Sequence, residues 1–325
     1  MLPANWEIPS IQTIKEISQL LEQSVYKDSP LGCDISPVNL FLYRYKYNTQ
    51  ICYADGILYR RFKEKDFIYY GFPIALNPNQ NLDSALKSAL NFVKQDAQFL
   101  GIKANTFFAT EELLNPLQNP SSLITCIESL GIPDSGIQSV KDRDLADYVY
   151  LQKNLSELAG AKYSKKRGHI NQFLKKHEDS TFVPLTNENT DLALQVEKQW
   201  LKELETQTGT TAPEDLLVEQ ELITKALTNF DELDLSGGLI MCNNQPVAMC
   251  IASTIGNATT DVHFEKAIEP YAHHGAYAFI NREFAKICTT RYINREEDLG
   301  FENLRKAKLS YYPDLLIEKS ILILI

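Results

Sequence analysis

The chain has 325 residues, 44% hydrophobic and 23% charged, a globular composition that excludes a disordered or low-complexity protein. That length exceeds one ordinary core and predicts two domains. A formal net charge of -10 argues against a general nucleic-acid coat and against DNA as a partner, because phosphate backbones need basic surface, although a local basic patch remains compatible with it. The six cysteines, Cys33, Cys52, Cys126, Cys242, Cys250 and Cys288, form no Cys-x-x-Cys pair and sit mostly among apolar residues, which reads as buried thiols. There is no basic stretch leading into an apolar one at the start, and no window approaches the ~18 apolar residues of a membrane span. The expected compartment is a reducing cytoplasm.

Taken in chain order, Ile11, Ile14, Ile17, Leu21 and Val25 recur at helical spacing behind Pro9-Ser10, which predicts a first helix. A short helix is expected from Pro37 to Arg44. "QICYADGILYRRF" reads as a hairpin turning at Asp55-Gly56, and the aromatic-rich "FIYYGFPIA" as a third strand. "LDSALKSALNFVKQDAQFLG" is an amphipathic helix ending at Gly101, "NTFFAT" a strand and "SSLITCIESLG" another helix. Helical patterns then run from about Glu188 to Phe230, broken near Gly209 and Pro213. "GGLIMCNNQPVAMCIAST" is a hairpin turning at Asn243-Asn244, and "TTDVHFEKA" a third strand. "GAYAFINREFAKICTT" is a helix, "RYIN" a strand, "FENLRKAKLS" a helix and "DLLIEKSILILI" the closing strand.

The same order of elements therefore occurs twice, as a repeat of pattern and not of letters. Helices alternating with strands place each half in the mixed α/β (α+β) class, with hairpins feeding a strand–helix–strand crossover in a mixed sheet flanked by helices. The boundary falls near 145–155. It is set between an N-terminal domain, 1–148, and a C-terminal domain, 149–325, that carries the site; "DYVYL" could belong to either. The order resembles that of the acetyltransferase-like (GNAT) fold, which implies two such domains in tandem. In that fold the third strand splays from the next, and the following helix starts at a Gly-rich turn that holds a pyrophosphate.

Several stretches carry candidate chemistry. In "HFEKAIEPYAHHGAYAFINREFA", Gly275-Ala276 open a helix after a strand, and a helix N-terminus with a glycine suits an anion. Only one glycine is present, and a plain tight turn is the competing reading. His273 and His274 are adjacent and would diverge on a strand, so a metal site is not expected there. Period two places His263 and Glu265 on one strand face, either as an acid/base pair or as a cross-strand charge pair. "AKYSKKRGHINQFLKKH" is the most basic stretch. Lys162, Lys166 and His169 share one helical face, as a phosphate-binding surface or as a solvated one, and Gly168 is out of place in a helix. "YINREEDLGFENLRKAKLSYYP" places Asn294, Arg295, Glu296, Glu297 and Asp298 after an apolar strand, where α/β folds place ligands, with Arg305 and Lys308 on the next helix. An Arg–carboxylate network fixing the loop is the alternative.

"ELAGAKYSKKRGHINQF", together with "HFEKA", "HHGAYAFINREFA" and "YINREEDLGFENLRKAKLSYYPDLLIEK", is similar to a bacterial family related to the C-terminal catalytic domain of phosphatidylglycerol lysyltransferase. The resemblance implies tandem acetyltransferase-like domains and transfer of an activated acyl or aminoacyl group to an amine or hydroxyl. The lipid enzymes carry an acidic residue and an arginine on the third strand, where this chain has His263 and Lys266. Relatives show Arg-Asn where it has Arg167-Gly168. On this reading His263, Glu265 and Asn294 are the catalytic candidates. Lys162, Lys166, Arg167, Lys266, His274, Gly275, Ala276, Arg295, Arg305 and Lys308 are the candidates for holding a phosphate-bearing donor. That donor is aminoacyl-tRNA or acyl-CoA, used as a co-substrate, with no tightly bound cofactor and no metal expected. The alternative is a ligand-binding or regulatory module that kept the fold and lost the chemistry.

Overall fold

The computed structural model describes residues 5–64, 67–79, 81–101, 106–110 and 137–324. The expected helix "SSLITCIESLG" lies outside the described residues. The first helix, α1 (Ile11–Gln23), is capped by Ser10, whose hydroxyl accepts from the Thr13 N–H at 3.1 Å, and it buries Ile14, Ile17 and Leu21. A second cap, Ser36, with Pro37 at the first position, starts α2 (Pro37–Leu42). The hairpin of β1 (Gln50–Ala54) and β2 (Ile57–Glu64) turns at Asp55 and Gly56, both at positive φ, as a two-residue turn of this hand requires. It is followed by β3 (Phe67–Ala75), α3 (Leu82–Phe99) and β4 (Thr106–Thr110), which lies parallel to β3.

The second half begins with β5 (Ile137–Leu151), α4 (Gln152–Glu157) and α5 (Ser164–Lys176). Next come β6 (Thr181–Pro184), α6 (Thr190–Thr208) and α7 (Glu214–Thr228). The hairpin of β7 (Ser236–Cys242) and β8 (Gln245–Ile255) leads into β9 (Thr259–Ala267). The short α8 (Tyr271–His274) and α9 (Ala276–Ile287) precede β10 (Tyr292–Asn294), parallel to β9. The chain closes with α10 (Glu302–Leu309) and β11 (Leu315–Leu324). Helix, hairpin, strand, helix and parallel strand thus occur in each half, in the tandem acetyltransferase-like arrangement expected.

Among the described residues the strands form one sheet, in the order β1-β2-β3-β4-β11-β5-β10-β9-β8-β7-β6. The closing strand β11 pairs with β4 of the first half and with β5, and β5 pairs on its other side with β10. The expected boundary between 148 and 149 lies inside β5. One apolar layer lies between α1, α3 and β1–β3. Another packs α5 and α9 on β5 and β8. The third joins Ile14, Val38, Phe41 and Leu42 of the first half to α6, α7 and β7–β9 of the second.

Three local features differ from the sequence expectation. Gly168 does not break α5: a side chain there would meet open space, while Ile170 and Phe173 on the other face are fully buried. Burying those two side chains, at roughly 1.5–3 kcal/mol each, outweighs the ~1 kcal/mol that glycine costs. The strand around "DYVYL" starts earlier, at Ile137, through the charged run Lys141–Asp144 that shows no apolar alternation. Strand β6, four residues long and ending in a proline, had no periodic signal.

Candidate active site at the parting of β9 and β10

Strands β9 and β10 pair through Thr259–Tyr292, Thr260–Ile293 and Asp261–Asn294, and then part. Beyond that point β9 stays with β8, while the chain after β10 follows β5: Arg295 N–H donates to the Tyr148 carbonyl at 3.0 Å and Tyr148 N–H to that of Glu296 at 3.3 Å. The third strand of the half therefore splays from the next, as the fold implies. The opening sits at the carboxyl end of a parallel pair, where polar side chains from two strands can meet a ligand. His263 and Glu265 stand on one side of it, Arg295 and Glu296 on the other.

A β-bulge controls which way these side chains face. Val262 pairs with Ala252, but Phe264 pairs with Ile251, so His263 is the extra residue. Val262 packs in the α9 layer and Phe264 in the α6–α7 layer, so the strict alternation stops between them. His263 and Glu265 consequently do not act as a same-face pair, which corrects the period-two reading. His263 Nε2 meets Ser253 Oγ at 2.8 Å, and its Nδ1 meets Glu296 at 3.1 Å and Asp261 at 3.6 Å. Glu265 bonds Arg295 at 3.0 Å.

Around Glu265 the structure gathers two more of the expected residues, Arg295 and Lys166. The Arg295 guanidinium lies 5.1 Å from the Tyr311 ring, and its Nη1 is buried without a hydrogen-bond partner. Lys166, reaching in from α5, has its amine 3.7 Å from the same ring. Burial, and then the neighbouring Arg295 charge, push that amine down to about 8. Glu265, Arg295 and Lys166 thus form one partly screened group with two cations and one anion.

The remaining candidates lie elsewhere or serve the scaffold. Lys162 is exposed beside Tyr163 and Tyr312. Arg167 donates to the carbonyls of Leu158 and Gly160 at 2.5 and 2.7 Å, holding the exit of α4. Lys266 faces α6 and α7, paired with Glu219 and 3.6 Å from the Trp200 ring. His274 bonds His177 at 3.0 Å. Gly275 has φ +112°, and a side chain there would meet the His169 carbonyl of α5 at 2.6 Å. Its close approach is therefore to a neighbouring helix, and Ala276 is fully buried behind it. Arg305 grips Asp298 at 2.8 Å and also Asp144, holding the Asp298 carboxyl well below the usual range. Lys308 donates to the carbonyls of Arg295, Glu296 and Glu297, and burial pushes its amine down to about 8. Asn294 donates to the Leu31 carbonyl and to Asp147, and accepts from Glu296 N–H at 2.8 Å. These last three residues fix the loop after β10 from beneath.

A buried polar cluster that the sequence reading did not assemble lies against this loop. Lys319 of β11 contacts Asp147 at 2.8 Å, Cys33 Sγ at 3.1 Å and Glu297. Burial alone would lower the lysine, but Asp147, Cys33 and Glu297 carry it well above its ordinary value. The Cys33 N–H donates to Asp147 at 2.6 Å, and Asn39 donates to Glu296 at 2.9 Å, so the first half covers the second here. Asp261 is fully buried, and burial, then Glu296 and Asp147, push it well above the usual carboxylate range. The available signal was a charged letter inside an apolar strand: Asp261 in "TTDVHFEKA", Asp147 in "LADYVYL" and Lys319 in "LLIEKSILILI".

Comparison with known proteins adds the family. A family model described as "Phosphatidylglycerol lysyltransferase, C-terminal" matches residues 31–323. A conserved protein of unknown function from Bacteroides thetaiotaomicron is 31% identical, with a TM-score of 0.82 over 99% of this chain and 100% of that one. The C-terminal DUF2156 domain of a putative lysylphosphatidylglycerol synthetase from Agrobacterium fabrum shares the fold, at 11% identity and a TM-score of 0.61 over 97% of this chain and 92% of that one. An uncharacterized protein of Mycoplasmoides gallisepticum is 25% identical over 175 residues, 53% of this chain and 54% of that protein. The match therefore spans about half the length of that curated relative.

Proposed function

This chain belongs to the phosphatidylglycerol lysyltransferase C-terminal family, and on that premise we propose that it transfers an activated acyl or aminoacyl group from aminoacyl-tRNA or acyl-CoA to an amine or hydroxyl. The observation that carries the reading is the buried Arg295 Nη1 without a hydrogen-bond partner, set beside Lys166 and Glu265 where β9 and β10 part. A guanidinium N–H buried without an acceptor is costly unless a ligand supplies one. The oxyanion that forms as the acyl carbonyl is attacked, or a donor phosphate, is such an acceptor.

In this reaction the acceptor nitrogen or oxygen bonds to the acyl carbon. The ester or thioester bond to the donor breaks, and the acceptor's proton passes to the Glu265 carboxylate, which returns it to the departing donor oxygen or sulfur. Arg295 and Lys166 stabilise the developing oxyanion, and the rest of the rate enhancement comes from orientation. The donor acts as a co-substrate and not as a resident group, and the cytoplasm is the compartment that supplies it. Among the described residues no helix is long and apolar enough to cross a membrane.

A second reading keeps the binding and drops the chemistry. It is favoured by the bridging of the parting on both faces, Glu265 to Arg295 and His263 to Glu296, with Lys308 locking the loop. A transfer assay paired with thermal shift separates the two. The full chain is offered charged tRNA, acetyl-CoA and anionic lipid headgroups, and a ligand at ~100 times its dissociation constant stabilises by about 2.7 kcal/mol. Transfer lost in Glu265→Gln with binding kept supports the enzyme. Binding in wild type without transfer to any acceptor supports the module, and no shift with any phosphate-bearing ligand sinks both.

A further inference from the structure

The buried acids on the His263 side of the parting are unevenly matched with cations. Asp34 lies 3.7 Å from Arg60, and Lys319 serves Asp147 and Glu297. Asp261 and Glu296 are left with only the imidazole of His263 between them. Neither carboxylate oxygen of Asp261 has a hydrogen-bond partner, and the side chain is 0% exposed. An ionised carboxylate in that position is unstable unless a proton or a cation meets it.

One ligand atom each from Asp261, His263 and Glu296 lie within 4.8 Å of one another. Ligands about 2.0–2.3 Å from a common ion fall within that spread. The His263 ring is already oriented for the task. Its Nε2 bonds Ser253 Oγ at 2.8 Å, which turns Nδ1 toward both carboxylates. A polar partner on the far nitrogen is the usual arrangement for a ligating histidine. Asn39 donates to Glu296 at 2.9 Å and steadies the third ligand, and the Glu296 side chain, 17% exposed, gives the group its contact with solvent. A neighbouring triad, Cys33, Glu296 and Glu297, has comparable spacing, but the Lys319 ammonium already sits against Cys33 and Glu297.

We propose that Asp261, His263 and Glu296 bind one divalent transition-metal cation of the Zn2+ or Mn2+ class, in place of the absence of metal expected from the sequence. One imidazole and two carboxylates favour these ions over Mg2+ and Ca2+, which take oxygen ligands. The ion neutralises the two acids and ties β9 to the loop after β10. The proposal does not depend on the identity of any acyl donor.

The test uses the full chain, stripped with a chelator and titrated with Zn2+, Mn2+, Mg2+ and Ca2+ by calorimetry and thermal shift. The expected result is one equivalent of Zn2+ or Mn2+ bound and a raised Tm, with Mg2+ and Ca2+ at least 100-fold weaker. Asp261→Asn and His263→Gln should each weaken binding by 100-fold or more, whereas Cys33→Ser should leave it unchanged. Because a substitution could simply unfold the chain, the stripped Asp261→Asn protein is also melted; its Tm should equal or exceed that of stripped wild type while no longer responding to metal. Three outcomes overturn the proposal: no stoichiometric metal in wild type, loss of binding in Cys33→Ser with retention in Asp261→Asn, or stabilisation by an alkylammonium salt but by no metal.

Discussion

Lys166 is the residue whose protonation can be read most directly. Burial beside Tyr311 and Arg295 brings its amine down to about 8, so it is charged below that pH and neutral above it. If it meets a donor phosphate or oxyanion, affinity for the anionic ligand falls as pH rises through about 8. The loss should be roughly 10-fold or more, since a hydrogen bond to a charged group is worth about 1.5–3 kcal/mol. Dissociation constants measured from pH 7 to 9.5 should show that fall in wild type and a flat profile in Lys166→Met; a flat wild-type profile removes Lys166 from the binding surface. Arg295→Gln addresses the paired residue. It leaves the partly buried Glu265 without its cation and should destabilise the fold by roughly 3 kcal/mol, with Arg295→Gln/Glu265→Gln recovering much of the loss. Denaturant midpoints of the four proteins give the coupling, and additive losses would mean that the pair is only adjacent. Lys166, Glu265 and Arg295 were legible in the sequence because each lies in a locally polar stretch beside an apolar one. Cys33 and Lys319 were not, because 286 positions separate them and only strand pairing brings them together.

At the scale of elements, periodic segments were legible and aperiodic ones were not. Helices α1, α3, α6, α7, α9 and α10 carry apolar residues at helical spacing and start or stop at recognisable residues, such as Ser10 before α1 and Gly209 after α6. The bulge at His263 leaves no mark in the pattern, because it depends on the register with β8 and not on the letters of β9. Gly275 was recognised as a special position, but its reason is packing against α5. Gly275→Ala places a side chain at φ +112° and 2.6 Å from the His169 carbonyl, so it should cost about 1–3 kcal/mol, read as a fall in Tm. An unchanged Tm would mean that α5 and α9 slide apart freely. Within α6, Glu197 is fully buried, and neither carboxylate oxygen has a hydrogen-bond partner. Burial raises its pKa to about 7, against the lowering effect of Lys266. The folded state therefore holds a proton that the unfolded state releases near 4.5, so stability declines as pH rises from about 4.5 to about 7 and is level above. Glu197→Gln should match wild type near pH 4.5 and exceed it by about 1–3 kcal/mol at pH 8. Parallel stability curves for the two proteins would show that Glu197 does not titrate in this range.

For the whole molecule, the twofold order of elements was legible, but the way the halves join was not. Pattern alone suggests two domains with a boundary near 145–155, and residues 148–149 lie near the end of β5, a strand bonded on both sides. Strand β11, last in the chain, pairs with β4 of the first half. One apolar layer draws Ile14, Val38, Phe41 and Leu42 into contact with α6 and α7. The polar seam adds Leu31 N–H to Thr259 at 3.0 Å, Cys33 N–H to Asp147 and Asn257 N–H to the Lys27 carbonyl at 2.7 Å. Unfolding either half exposes strand edges and apolar surface of the other, a loss that adds to the cost of unfolding that half alone. Thermal unfolding of the full chain should therefore give one calorimetric transition, with calorimetric and van't Hoff enthalpies in agreement. Substitutions in the first-half layer, such as Phe72→Ala, should lower that one midpoint as a truncation in the second-half layer, such as Phe284→Ala, does; each should cost about 3–5 kcal/mol. Two resolved transitions, with Phe72→Ala moving one and Phe284→Ala the other, would show that the halves are separate folding units and that the continuous sheet does not couple them.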